Sequence, residues 1–125
     1  MCNFSTTSLT TGAYSSLNTV IENNEIRRAY RGIYANGSSS SYPNTGLRIR
    51  NNIIGSATAS DNIGQYGIYL SYTAASTSSS TQAIIEGNDI HCGDYITGFS
   101  TSVGAVYLSS CNYGMIIRRN NIHDV

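Results

Sequence analysis

Apolar and polar positions alternate along this chain in short bursts, and the bursts recur. Four segments align without gaps: Ile21-Glu-Asn-Asn24-Glu-Ile26, Ile49-Arg-Asn-Asn52-Ile-Ile54, Ile85-Glu-Gly-Asn88-Asp-Ile90 and Ile117-Arg-Arg-Asn120-Asn-Ile122. Each follows Ile-x-x-Asn-x-Ile, and its first Ile recurs at intervals of 28, 36 and 32 residues. A second motif falls between them: Gly32-Ile33-Tyr34-Ala35, Gly67-Ile68-Tyr69-Leu70 and the looser Ala105-Val106-Tyr107-Leu108. Strict alternation of the two motifs marks an internal repeat.

Within each motif every second residue is apolar, which is the period of a strand and not of a helix. The predicted inward rows are Thr19/Leu47/Ala83/Met115, Ile21/Ile49/Ile85/Ile117 and Ile26/Ile54/Ile90/Ile122, joined by Ile33/Ile68/Val106 and Ala35/Leu70/Leu108. A single unit has an apolar edge above and below, so it is stable only when stacked on like units. Stacked parallel strands would set like residues over like at about 4.8 Å. Between the paired Ile positions the pattern predicts a tight bend. Its first residue is Asn23, Asn51, Gly87 or Arg119, mostly types that tolerate a left-handed backbone. The second is always Asn, and stacked amides of Asn24, Asn52, Asn88 and Asn120 would bond from repeat to repeat. Their role is structural.

On these two motifs the chain resembles the right-handed parallel β-helix repeats of the pectate-lyase-like superfamily, from about Asn18 to Val125. The resemblance implies an all-β solenoid of about four rungs, single-stranded, three-sided and uncapped, with residues 1–17 as an irregular or partial first rung. It also implies extracellular work, often on polysaccharides. Catalysis is not implied. Hexapeptide repeats, which a left-handed β-helix would need, are absent.

Spacing between motifs locates the loops. Gly55–Gln65 and Cys92–Gly104 should bulge side by side at one corner, and 36–45 and 71–81 at another. Val125 follows the last inward Ile by three residues and no amphipathic helix caps the repeats, which predicts a piece of a longer protein. Neighbouring rungs of that protein would then be partners of this chain, and the isolated chain would self-associate through its open edges.

Composition narrows the function class. Seven Arg balance seven acidic residues with no Lys, so a nucleic-acid-binding footprint is missing. No apolar run reaches the roughly 20 residues of a membrane span. Ser, Thr and Asn make up 44 of the 125 residues, a balance typical of secreted or cell-surface proteins, although no export signal opens the sequence. Cys2, Cys92 and Cys111 show neither metal-ligand spacing nor an even disulfide framework; Cys92 and Cys111 fall near turns of one region.

Candidate chemistry is sparse. The outward row Glu22, Arg50, Glu86, Arg118 alternates in charge and is expected to form cross-strand pairs rather than a catalytic acid pair. The row Arg27, Gly55, His91, His123 stacks two imidazoles one repeat apart, flanked by Asp89 and Asp124. These are metal-ligand types, but a third firm ligand is missing from the pattern, so no metal and no cofactor is expected and His91 and His123 are the candidates should one bind. Tyr34, Tyr69 and Tyr107 should form an outward aromatic ladder. Tyr66, Tyr95 and Phe99, assigned to the corner loops, would offer stacking faces to sugars, and Asp61 and Asp94 would bond hydroxyls. The expectation is a non-catalytic segment of an extracellular or cell-surface protein, serving as scaffold or polysaccharide-contacting surface. The alternative is part of a polysaccharide lyase or glycoside hydrolase with its catalytic rungs outside this chain.

Overall fold

A computed structural model describes residues 17–37, 39, 42–73, 82–93, 103–111 and 114–123. The described residues are all-β apart from one 3-10 turn at Ala59–Asp61. In chain order the strands are β1 (Val20–Glu22), β2 (Glu25–Ile26), β3 (Arg31–Asn36), β4 (Arg48–Arg50), β5 (Ile53–Ile54), β6 (Tyr66–Ser71), β7 (Ala83–Glu86), β8 (Asp89–His91), β9 (Gly104–Ser109), β10 (Met115–Arg118) and β11 (Asn121–His123). They form three parallel sheets, ordered β1-β4-β7-β10, β2-β5-β8-β11 and β3-β6-β9. Each strand therefore pairs with its counterpart one repeat along the chain.

The register is the one the motifs require. Ile21 pairs with Ile49, Ile49 with Ile85 and Ile85 with Ile117. Ile26, Ile54, Ile90 and Ile122 form the second row, and Ile33, Ile68 and Val106 the third. Ile33, Ile49, Ile54, Ile68, Ile85 and Ile90, drawn from all three sheets, pack into one buried cluster with Leu47, Ala83 and Leu70. The outermost row members differ. Ile117 and Ile122, expected inward, are 45% and 48% exposed, because β10 and β11 are edge strands with a described neighbour on one side only.

The bends take the left-handed backbone that their residue types suggest. Asn23, Asn51, Gly87 and Arg119 all have φ between 54° and 65°. Behind the bends, the Asn amides link one repeat to another. The Nδ2 of Asn52 donates to Asn88 Oδ1 at 2.9 Å and to Ile21 O at 3.0 Å, while its backbone N–H also donates to Asn88 Oδ1. Asn24 donates in the same way to Asn52, and Asn88 to Asn120. With Asn52 and Asn88 buried, this ladder satisfies backbone carbonyls that the bend would otherwise strand.

Two features depart from simple alternation. A Cβ on Gly67 would stand 2.5 Å from Cγ2 of buried Ile90 and 2.7 Å from Ala105 O, so Gly67 and Ile68 both turn toward the core. Gly32 is confined in the same way by Ile54 Cγ2 and Gly67 O. The alternation slips by one residue at this glycine. Tyr66 consequently shares the outward face with Tyr69.

The second departure corrects the loop expectation for Gly55–Gln65. Only its first half bulges outward. Asn62, Ile63 and Gln65 are buried, and Ile63 bridges in parallel to Cys92. Backbone bonds from Gly64 N–H to Ala29 O and from Gly104 N–H to Gln65 O carry the parallel ladder through this corner.

Candidate functional site

Two outward faces gather the chemistry-bearing side chains. On the β3-β6-β9 face, Tyr34, Tyr69 and Tyr107 occupy paired positions and their rings stack at 5.0 Å between centroids, inclined by only 22° and 19°. Tyr66 adds a further stack on Tyr107 at 4.7 Å and a tilted contact with Tyr69. The Arg31 guanidinium lies 4.7 Å from the Tyr69 ring centre and 5.4 Å from that of Tyr34, and its Nε donates to Gln65 Oε1 at 2.9 Å. The cation rests on electron-rich ring faces, an arrangement that the motif spacing did not suggest. The inner rings cover one another's faces. What the ladder presents outward is ring edges, together with Tyr107, which is 40% exposed.

This arrangement corrects the placement of Tyr66. It begins strand β6 rather than lying in a corner loop, and it is 8% exposed beneath its neighbours. A ring so covered has no open face for a sugar. Asp61, expected to bond hydroxyls, instead receives Arg28 Nε at 2.6 Å and Arg27 at 3.3 Å. The Arg28 hydrogen bond holds the Asp61 carboxyl below the ordinary carboxylate range, against a smaller opposing effect of desolvation. Asp94, Tyr95 and Phe99 lie outside the described residues.

The outward charge row forms the pairs foreseen for it. Arg50 Nε meets Glu22 at 2.5 Å and Arg118 Nε meets Glu86 at 2.8 Å. The Arg118 hydrogen bond lowers the Glu86 carboxyl, despite some desolvation. Arg27 also pairs with Glu25. Each described carboxylate on these rows is thus committed to a cation.

The second face belongs to β8 and β11. Asp89 and His91 alternate along β8 and so project to one side, and His123 on β11 is the cross-strand partner of His91. The two imidazoles stack at 4.2 Å, nearly parallel at 5°. His123 Nε2 lies 2.9 Å from Asp89 Oδ1, and His91 Nε2 lies 3.7 Å from Asp89 Oδ2. The sequence identified the two His but gave Asp89 only a flanking role. Its i, i+2 spacing from His91 on one strand was the available signal.

Cys92 is fully buried beneath this corner, and burial pushes its thiol up to about 11. Burial also raises the thiol of Cys111, which is free and partly buried. Neither is a poised nucleophile. Among the described residues no helix is long and apolar enough to cross a membrane. No protein-family model, curated protein or solved structure matches the chain.

Proposed function

We propose that the chain is a run of rungs from a right-handed parallel β-helix, acting as a rigid, non-catalytic scaffold within a secreted or cell-surface protein. The observation that carries this reading is like-over-like stacking in the core, amide and aromatic rows, polar as well as apolar. Ile sits over Ile, Asn over Asn and Tyr over Tyr across three sheets. A surface built to repeat along one axis suits display and length better than a single reaction centre. The neutralised carboxylates point the same way, since general acid chemistry on a glycoside uses a carboxyl whose pKa is raised, and those of Asp61 and Glu86 are lowered.

Duplication tests the scaffold directly. Inserting a second copy of residues 49–84 after Ile84 adds one in-register unit, because Ile49 and Ile85 are equivalent. A solenoid gains a nearest-neighbour interface and its urea midpoint rises. A lowered midpoint or loss of cooperative unfolding would overturn the reading. Polysaccharide is the partner proposed for the outward face, with Tyr107 as its accessible ring. A neutral oligosaccharide bound at ~0.1–1 mM by the chain, and more weakly by Tyr107→Ala, supports that partner. Absence of binding on a glycan array removes the polysaccharide and leaves the scaffold.

A further inference from the structure

The β8–β11 face carries a separate inference that does not depend on the scaffold reading. We propose that Asp89, His91 and His123 form a two-histidine, one-carboxylate site for a divalent transition metal ion of the Zn2+ and Cu2+ class. The ligating atoms of the three residues all lie within 4.8 Å of one another. Three ligands around an ion at about 2.0–2.2 Å would be separated by roughly 3.4 Å in tetrahedral geometry. The two rings are stacked nearly parallel, so binding turns them out of the stack until both lone pairs meet at the ion.

The backbone brings all three side chains to one face. His91 and His123 are paired across a parallel ladder, and Asp89 and His91 project from the same side of one short strand. The Asn ladder fixes the bends immediately before both strands, through Asn88 and Asn120. A set of ligands held this way loses little conformational freedom on binding.

The donor set also selects the ion. Two imidazoles and one carboxylate suit Zn2+, Cu2+, Ni2+ or Fe2+, whereas Ca2+ and Mg2+ take oxygen ligands. One oxygen of Asp89 lies 2.9 Å from His123 Nε2 and the other 3.7 Å from His91 Nε2, so the carboxylate already reaches the ligating nitrogens of both strands. The side chains are 42% exposed for Asp89, 36% for His123 and 12% for His91. An ion could therefore enter from solvent and keep at least one coordination position for water or an outside ligand.

Calorimetric titration of the intact chain with Zn2+ at neutral pH tests the site. One equivalent should bind saturably, and His91→Gln and His123→Gln should each weaken binding by about ten-fold or more, with Asp89→Asn weakening it as well. Far-UV circular dichroism establishes that the variants keep the parent fold. Should they not, electron paramagnetic resonance of the unmodified chain with one equivalent of Cu2+ decides the matter. Hyperfine structure from two equatorial nitrogens supports the site. Lack of saturable Zn2+ binding, binding unchanged in either His variant, or a Cu2+ spectrum without nitrogen coupling would overturn it.

Discussion

The middle repeats and the outer repeats carry the same motif and meet different fates. Ile85 and Ile90 are fully buried, yet Ile117 and Ile122, in the same places one repeat later, are nearly half exposed. Asn52 and Asn88 are buried, while Asn24 is exposed and Asn120 intermediate. The residues are alike and the backbone is alike. At the β10 end the difference is the number of stacked neighbours. Among the described strands β7 has β4 on one side and β10 on the other, whereas β10 has only β7, although Ile21 on the opposite edge strand β1 stays buried. Stability in this chain therefore resides in the contacts between repeats more than in any repeat taken singly.

Deleting the same atoms in both places separates the two positions. Ile85→Ala leaves a cavity walled on both sides, and we expect a loss of about 2–5 kcal/mol in urea unfolding. Ile117→Ala removes an already half-solvated side chain and should cost less than about half as much. Equal losses would contradict a nearest-neighbour account.

The amide ladder gives the next effect. Asn88→Ala removes the acceptor of the buried Asn52 backbone N–H, one acceptor of the Asn52 Nδ2 and the amide donor to Ile49 O, and we expect a loss of about 1–3 kcal/mol. Asn24→Ala leaves Asn52 Oδ1 still bonded to the Asn24 backbone N–H, so its cost should be clearly smaller. Hydrogen exchange sharpens the contrast. The Asn52 amide should lose protection in the first variant and keep it in the second.

The tyrosines extend the test to a solvent-facing row. Among the described residues Tyr69 touches three rings and Tyr34 one. Tyr69→Leu should therefore cost about 0.5–1.5 kcal/mol more than Tyr34→Leu, the worth of an added aromatic contact.

Acid provides the smallest effect. The carboxyls of Asp61 and Glu86 are lowered by their Arg partners, so their stabilisation is present above the ordinary carboxylate pKa and disappears as pH falls through the lower folded values. The urea midpoint should decline below about pH 4. Asp61→Asn and Glu86→Gln should each flatten that decline, and added salt should do the same, because both groups are solvent-screened. A midpoint independent of pH between 2 and 5 would falsify this assignment.

Rows were legible in the sequence because a repeat states the same constraint several times. Four Ile-x-x-Asn-x-Ile segments fixed strand identity, register and the left-handed bend residues together. The charge pairs followed, since alternation of Glu and Arg at one position needs only the strand spacing to become contact. The corner was not legible. Ile63 lies in a stretch with no repeat partner of its own type, and its burial depends on Cys92, Ala29 and the ladder through Gly64.

Tyr66 shows why an outward site is harder to place than a core row. Counting by twos from Ile68 sets it on the inner side, and distance from the motif suggests a loop. A glycine with no room for a Cβ allows two successive residues to face the core, and this moves Tyr66 onto the aromatic face. Asp89 is similar. Its proximity to His91 follows from the strand, but its meeting with His123 depends on a parallel pairing 34 residues away.

Period, register and the chemistry of each row were determined by the sequence itself, because those properties depend on residue type repeated at fixed spacing. Burial at the edges, the path through the Ile63 corner, the covering of Tyr66 and the convergence of Asp89, His91 and His123 were decided only by tertiary structure. Each of these depends on what lies across a gap of nearly 30 residues or more in the chain, and side-chain contact at such separation is set by the stacked backbone rather than by local preference.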